Sequence, residues 1–565
     1  MRVLRLILTV IAAGLAAIFL WALLTLPPRS RAVDLSHWPQ NQSPPTARGV
    51  FHVHSNRSDG SAAVEAIAAA AFRAGLQFIV FTDHGDGTRT PDPPTYRSGV
   101  LCIDAVEIST TGGHYIALGM PRSPYPLAGA PHAVVEDVRR LGGFGVVAHP
   151  TSPRAALEWT DLNLAYDGIE WLNGDSQWRD ESTRTLGGTV VRYLIRPAEA
   201  LTALLDRPDQ ALMQWDDSTR RRQVVALAGA DAHARLTTGV GGEGASDPFT
   251  LAFPGYEHVF RVFSTHVELD RELAGEAAAA ADAALVLSGI RAGRVFTTID
   301  TLAAPARFSF EGRTDDRRHP MGTRVESDGP VALAVRVAGP PGTRIVLLTD
   351  GSPVAAVTGS ALDFSATMPG AYRAEVLVPG APGAPPIPWI VSNPIYVGEA
   401  ATAEPSPAPA GPFSTQALDA DTWVLEHNAH AIASIDHLAD RIVLDYELAG
   451  PAPASAAVVY HLQDIGLDGF DRVAFDVRAD RPTRASVQLK MDDGPGDLRW
   501  RRSFFVDDNT TTVEMYFEDL LPITADMPVL DLGRVTSLLI VIDALHTHLA
   551  VPSRLAISSP RLVGN

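Results

Sequence analysis

The sequence predicts an α/β protein in which parallel strands are covered by helices, preceded by a membrane-length helix and followed by a purely β region. Three observations predict this. Between residues 48 and 310, apolar runs of strand length alternate with helical stretches closed by glycine. Beyond about Phe310 only strand-length segments separated by Gly and Pro remain. Near the start, Leu6 to Leu26 is a run of 21 residues without a charge, long enough to cross a bilayer as a helix.

Taken in order, Arg2 and Arg5 precede the apolar run and Pro27-Pro28 ends it. The run is longer than the roughly 7 to 15 apolar residues of a signal peptide, so residues 1–32 are expected to remain as a signal anchor. Ser30-Arg-Ala32 nonetheless carries small residues at cleavage-like positions. The expected orientation exports the rest of the chain to the periplasm or cell exterior. Residues 33–47, rich in Pro, Ser and Gln, read as a linker.

Gly49-Val-Phe-His-Val-His54 reads as the first strand. Ser61 to Gly75 is alanine-rich, opens at a capping serine and closes at glycine, and reads as a helix. Strand-like runs follow at Phe78 to Phe81, Val100 to Glu107, His114 to Leu118 and Phe144 to Ala148. His132 to Leu141 sets Val134, Val135, Val138 and Leu141 on one face before Gly142-Gly143, an amphipathic helix with a glycine stop. Gly168 to Asn173 and Pro197 to Leu205 repeat strand and helix, completing a segment of residues 48–310.

In the β region, Val331 to Val337, Arg344 to Leu348, Tyr372 to Val378 and Trp389 to Val397 predict a small Ig-like β-sandwich over 311–398. Residues 399–412, almost all Ala, Pro, Glu and Ser, predict a linker. Asp471 to Arg478, Ala485 to Met491 and Ser537 to Asp543 predict a second β domain over 413–565. Trp423, Trp500 and Tyr516 are its candidates for stacking on a glycan, against the alternative that they fill its core.

A chain of 565 residues is too long for one core. Its net charge of −19 disfavours broad nucleic-acid binding. Lys490 is the only lysine, which with the alanine content reads as a GC-rich genome rather than a functional choice. The single cysteine, Cys102, excludes an intramolecular disulfide and a thiolate metal site, and inside an apolar run it reads as a small buried residue.

The candidate chemistry lies in His52, His54, Asp59, His84, Glu107, His114, His149, Asp231 and His233, strung along the ends of the apolar runs. Any one histidine is more often a surface or core residue than a ligand; nine metal-competent side chains at strand ends are a multinuclear site. His52 and His54 are two apart, so on a strand of period two they share a face, and Asp231-Ala-His233 repeats the spacing. Imidazole and carboxylate without thiolate suit Zn, Mn or Fe. Arg57, between the histidines and Asp59, is the candidate for a substrate anion, because a guanidinium matches phosphate.

These residues resemble the polymerase and histidinol phosphatase (PHP) family of metal-dependent phosphoesterases over about residues 48 to 300. His52-Val-His-Ser-Asn-Arg-Ser-Asp-Gly60 is similar to its first motif, Thr82-Asp-His84 to its second, and Val106-Glu-Ile108 with His114 to its third. Ala148-His-Pro150 is similar to its fourth and Ala230-Asp-Ala-His233 to its last. The resemblance implies a distorted (β/α)7 TIM-like barrel with its site at the C-terminal ends of the strands. It implies two to three divalent ions: one held by His52, His54, Glu107 and Asp231, a second by Glu107 as a bridge with His114 and His149, a third by Asp59, His84 and His233. Many members carry histidine where this chain has Asp59, so the third position departs from the pattern. Glu170 and Asn173 resemble a recurrent family motif and are expected to be structural or to support ligands. Asn393-Pro394 resembles the tail of carbaryl-hydrolase-like PHP proteins, and residues 413–565 resemble a galactose-binding-like jelly roll.

The activity so implied is hydrolysis of a small phosphate ester, a nucleotide or sugar phosphate, by a metal-bridging hydroxide formed at ambient pH. Asp231 or a nearby histidine such as His233 would shuttle the proton to the leaving group. Two alternatives stand beside it. The same metals serve a carboxyl ester or carbamate hydrolase, and a vestigial barrel would leave a membrane-anchored glycan-binding protein.

Overall fold

The computed structural model describes residues 2–36, 38, 44–235, 252–315, 317–327, 329–399, 414–450, 454–462, 465–492, 497–524 and 527–564. Of the two expected linkers, residues 37 and 39–43 of the first and nearly all of the second, 400–412, lie outside the described residues. The chain divides into two compact units: Met1–Gly85 with Pro91–Pro121 and Val138–Ala401, and Asp86–Thr90 with Arg122–Asp137 and Thr402–Asn565. Two short stretches of the segment 48–310 thus group with the C-terminal β region.

In the first unit, helix α1 (Arg2–Leu24) buries only Ala22 and exposes its leucines and isoleucines. Among the described residues it is the one helix long and apolar enough to cross a membrane, as an anchor or a signal sequence.

Strand β1 (Thr46–Val53) pairs in parallel with β2 (Phe78–Phe81), and β2 with β3 (Val100–Asp104). After Ala105 the chain continues as β4 (Val106–Thr110), which turns back into β5 (Gly113–Leu118). Strand β5 pairs antiparallel with β6 (Phe144–Val147), β6 in parallel with β7 (Gly168–Asn173), and β7 with β8 (Val225–Ala232). Strand β8 then pairs in parallel with β1, so the path returns to its first strand. Alternation alone predicts parallel strands throughout, and β4, β5 and β6 correct this. Two residues separate β4 from β5, whereas a parallel connection needs a dozen or more, so only a hairpin can form.

Phe51, Phe78, Val80, Leu101, Ile116 and Val146 belong to the apolar core of this sheet. Around it lie α2 (Val64–Arg73) and a series of further helices, of which Thr183–Tyr193, α3 (Asp209–Thr219) and α4 (Ala279–Arg291) are the longer. Ser61 does not cap α2; the cap position is Ala63, which makes no side-chain bond. The Ser61 N–H is instead donated to the Tyr256 hydroxyl at 3.1 Å.

The first unit continues through β9 (Ser264–Glu268), antiparallel to β1, and β10 (Val295–Thr298), antiparallel to β9. Of the later strands, β11 (Arg307–Thr314), β12 (Val331–Ala338) and β13 (Ala361–Ala366) form a separate sheet with Arg317–Pro320. Strand β14 (Gly370–Leu377) pairs with β15 (Ile390–Ser392), and β15 with β10, so these two strands extend the first sheet. Asn393 reinforces the join: its amide donates to Ala226 O at 2.9 Å and Val295 O at 3.0 Å and accepts from Ala226 N at 2.8 Å.

In the second unit two antiparallel sheets of six strands each enclose one core that includes Leu444, Val458, Phe475, Leu489, Ile540 and Leu555. The alternation along Arg472–Ala479 and the apolar run of Val535–Asp543 are what such paired layers require.

Candidate metal centre

All nine candidate ligands converge on one place in the first unit. The convergence does not come from regular strand alternation. His52 has φ +64°, and the β1–β2 register shifts between Val50 and Val53, so the strand is bulged where the two histidines leave it. Asp231 has φ +47°, and the register of β8 on β1 shifts between Gly229 and Ala232. His149, just past β6, has φ +30°. Left-handed backbone costs a non-glycine residue about 1–2 kcal/mol. Three candidate ligands share it because it turns their side chains toward a common centre.

Glu107 stands in the middle. Its Oε2 lies 3.2 Å from His52 Nε2, 3.1 Å from His54 Nε2 and 3.4 Å from His84 Nδ1. Its Oε1 lies 2.9 Å from His114 Nδ1 and 3.0 Å from His149 Nε2. Asp231 Oδ1 is 3.4 Å from His52 Nε2 and 3.5 Å from both His54 Nε2 and His233 Nδ1. Asp59 Oδ2 is 3.1 Å from His233 Nε2 and 3.7 Å from His84 Nε2.

This donor set fits divalent ions. Atoms bound about 2.0–2.2 Å from one ion stand roughly 3 to 3.6 Å apart, the spacing seen here. His52 Nε2 and His54 Nε2 face each other at 3.1 Å, and the buried His84 Nδ1 makes no hydrogen bond among the described residues. Three groups place their ligand atoms within 4.8 Å of one another: His52, His54 and Glu107; His84, Glu107 and His114; His54, Asp59, His84 and His233.

Electrostatics point the same way. Burial is the largest influence on most of these groups and opposes their charge, yet their mutual pairing outweighs it. His52 is held well above the usual imidazole range by Asp231, Glu170 and Glu107. His149 and His233 are each raised to about 9 against burial, the first chiefly by Glu107 and the second by Asp59 and Asp231. Glu107 and Asp231 are held well below the carboxylate range, with His52 the leading partner of both, and Asp59 is lowered by His233. At His84 burial prevails and lowers the pKa. Protonated imidazoles here occupy the place that cations would take.

Behind the nine lies a supporting layer. Glu170 Oε1 is 2.7 Å from His52 Nδ1, and its Oε2 accepts from His149 N at 2.7 Å and from the Asn173 amide at 2.8 Å. The same Asn173 amide lies 3.2 Å from Asp231 Oδ2, so Glu170 and Asn173 both support candidate ligands. Asp83, missed by the reading of the sequence, accepts the Ser55 N–H and hydroxyl at 2.7 Å and the Ser58 hydroxyl at 2.8 Å, locking the loop between His54 and Asp59. Its only signal was its place in Thr82-Asp-His84. Tyr256, also missed, sets its hydroxyl 2.8 Å from His54 O and 2.9 Å from His233 O.

Arg57 is tied to Asp92 and, at 3.3 Å, to Asp104. Trp423 and Trp500 are fully buried in the C-terminal core, and Tyr516 lies under the Arg472 guanidinium at 5.1 Å. The two tryptophans thus fill the core, the alternative to glycan stacking that the sequence offered.

No protein-family model matches the chain, and no curated protein matches it. Among solved structures it is similar to a two-domain protein containing a predicted PHP-like metal-dependent phosphoesterase from Bacteroides vulgatus, 13% identical over 65% of this chain and 99% of that one, TM-score 0.29. It is also similar to a family 11 carbohydrate-binding module from Clostridium thermocellum, 18% identical over 26% of this chain and 95% of that one, TM-score 0.22. A family 30 carbohydrate-binding module is 11% identical over 27% of this chain and 99% of that one, TM-score 0.22.

Proposed function

We propose that residues 48–310 form a PHP-type, TIM-like barrel that holds two to three divalent ions, and that the protein is a metal-dependent hydrolase of small phosphate esters. The observation that carries this reading is Glu107, whose two oxygens face separate sets of histidines, His52, His54 and His84 on one side and His114 and His149 on the other. A carboxylate so placed suits a bridge between ions. Ions bound there would lower the pKa of water and polarise a phosphoryl oxygen. Of the chain's own groups, Asp231 and His233 would move the proton to the leaving oxygen. Glu170 and Asn173 would keep His52, His149 and Asp231 oriented.

The helix α1 would anchor the enzyme, with its catalytic part outside the cytoplasm. The test is elemental analysis of the reconstituted protein together with turnover of phosphate, carboxyl and carbamate esters. Two or three ions per chain with phosphate ester turnover support the reading; metal with only carboxyl ester or carbamate turnover would transfer it to that class, and no metal would end it.

A further inference from the structure

Beside Asp231 and His233 the first unit holds a cavity of about 250 Å³. Its far wall is apolar: Leu204, Leu205, Val262 and Phe263 are buried there, and Trp178 and Phe253 close it. Those two rings meet edge to face at 5.7 Å, and Phe253 rests on Tyr193 in the same manner at 4.6 Å, so the aromatic wall is braced. An apolar cavity of about 150 Å³ holds a benzene, so this volume suits a group of one to two rings. Asp175 and Gln177 also line the cavity, but a sugar pressed against the apolar wall would leave the hydroxyls that face it without partners.

Charge at the cavity is as selective. Arg179 lines it but is paired with Asp175 one helical turn away. Arg235, two residues past His233, also lines it; its buried Nε makes no hydrogen bond among the described residues, and its Nη1 is 3.5 Å from the Asp59 carbonyl. Arg154 lines the cavity too and is exposed, whereas Arg235 both lines it and reaches the ligand cluster through the Asp59 carbonyl.

We infer that this cavity binds an aromatic or alicyclic ring of the substrate, with Arg235 taking the anionic group that the ring carries toward Asp231 and His233. The preferred substrates are then aryl or cycloalkyl phosphates rather than sugar phosphates. This rests on the hydrolase reading above, and binding of unreactive phosphonates separates the two. Calorimetry on full-length, manganese-loaded protein in detergent would compare phenylphosphonate with methylphosphonate. Phenylphosphonate is expected to bind on the order of tenfold more tightly or better, since only it buries a ring. Leu204→Trp, which fills the cavity, should remove that preference and leave methylphosphonate unchanged. Phe253→Ala, which removes part of the wall without crowding, should reduce it. Arg235→Gln should weaken both ligands alike. Equal affinities in the metal-loaded wild type, or a preference that survives both cavity variants, would overturn the inference and leave the hydrolase reading standing. Failure to bind metal or either phosphonate would overturn both.

Discussion

Glu170 Oε1 lies 2.7 Å from His52 Nδ1, and both groups are fully buried. The contact determines which imidazole nitrogen faces Glu107, because a ring that donates Nδ1–H to a carboxylate presents Nε2 as a ligand. Loss of such a partner typically weakens metal binding 10- to 100-fold. Glu170→Gln should therefore lower metal affinity by about that factor while Glu107→Ala, which strips both histidine sets of their shared carboxylate, should abolish it. Metal content after dialysis against a graded chelator checks this, and equal retention in the two variants would contradict it.

Gly229 is where Glu170 is accommodated. A Cβ on Gly229 would lie 1.8 Å from Glu170 Oε1, with Ala230 leading directly into the left-handed Asp231. Gly229→Ala should displace Glu170 and cost about 1–3 kcal/mol in stability as an overpacked site does. Its metal affinity should fall with that of Glu170→Gln. A melting temperature and metal affinity both unchanged would show that the carboxylate position does not matter.

The metal-free protein should lose stability as the solution turns alkaline. His149 and His233 have folded pKa values raised to about 9, above the ordinary 6.5. Their contribution is complete below about 6.5 and disappears as pH rises through about 9. Buried Glu268, raised to about 8 by desolvation, acts in the same direction between about 4.5 and 8. Chemical denaturation of chelated protein from pH 6 to 10 should show the decline. Asp59→Asn should remove the part due to His233 and Glu268→Gln the part due to the carboxyl. Metal affinity should rise over the same interval, because each imidazole must shed its proton to bind.

Helix α1 should make the full-length protein fractionate with membranes, and a chain lacking residues 1–32 should be soluble. A reporter fused after Asn565 should be active outside the cytoplasm. Activity inside would reverse the proposed orientation and leave the anchor intact.

Within the second unit, Arg484 is 1% exposed and bonds Asp137 at 2.9 Å and Glu136 at 2.7 Å. Asp137 is as buried as its partner. Removing one member of such a pair leaves a buried charge and costs about 3–5 kcal/mol. Arg484→Met should therefore destabilise residues 122–137, read as faster hydrogen exchange there. A chain ending near Val397 should show the same, whereas the linker at 399–412 would suggest a clean cut.

The sequence by itself determined the candidate donor set, because imidazole and carboxylate at the ends of apolar runs have few other uses in such number. It also determined the membrane-length helix and most strands, where composition and length leave little choice. It placed Glu170 and Asn173 correctly as supports. Only the tertiary structure decided how the ligands meet: at His52, His149 and Asp231 the backbone leaves the regular strand for φ values that no alternation rule contains. It likewise decided that Arg57 spends its charge on Asp92 and Asp104 while Arg235 faces the cavity, and that Trp423 and Trp500 are core. Residue types and spacing report what a side chain can do locally. Which of those possibilities is realised depends on contacts between residues tens to hundreds apart, as between His52 and Glu170 or Arg484 and Asp137, and those exist only once the chain has packed.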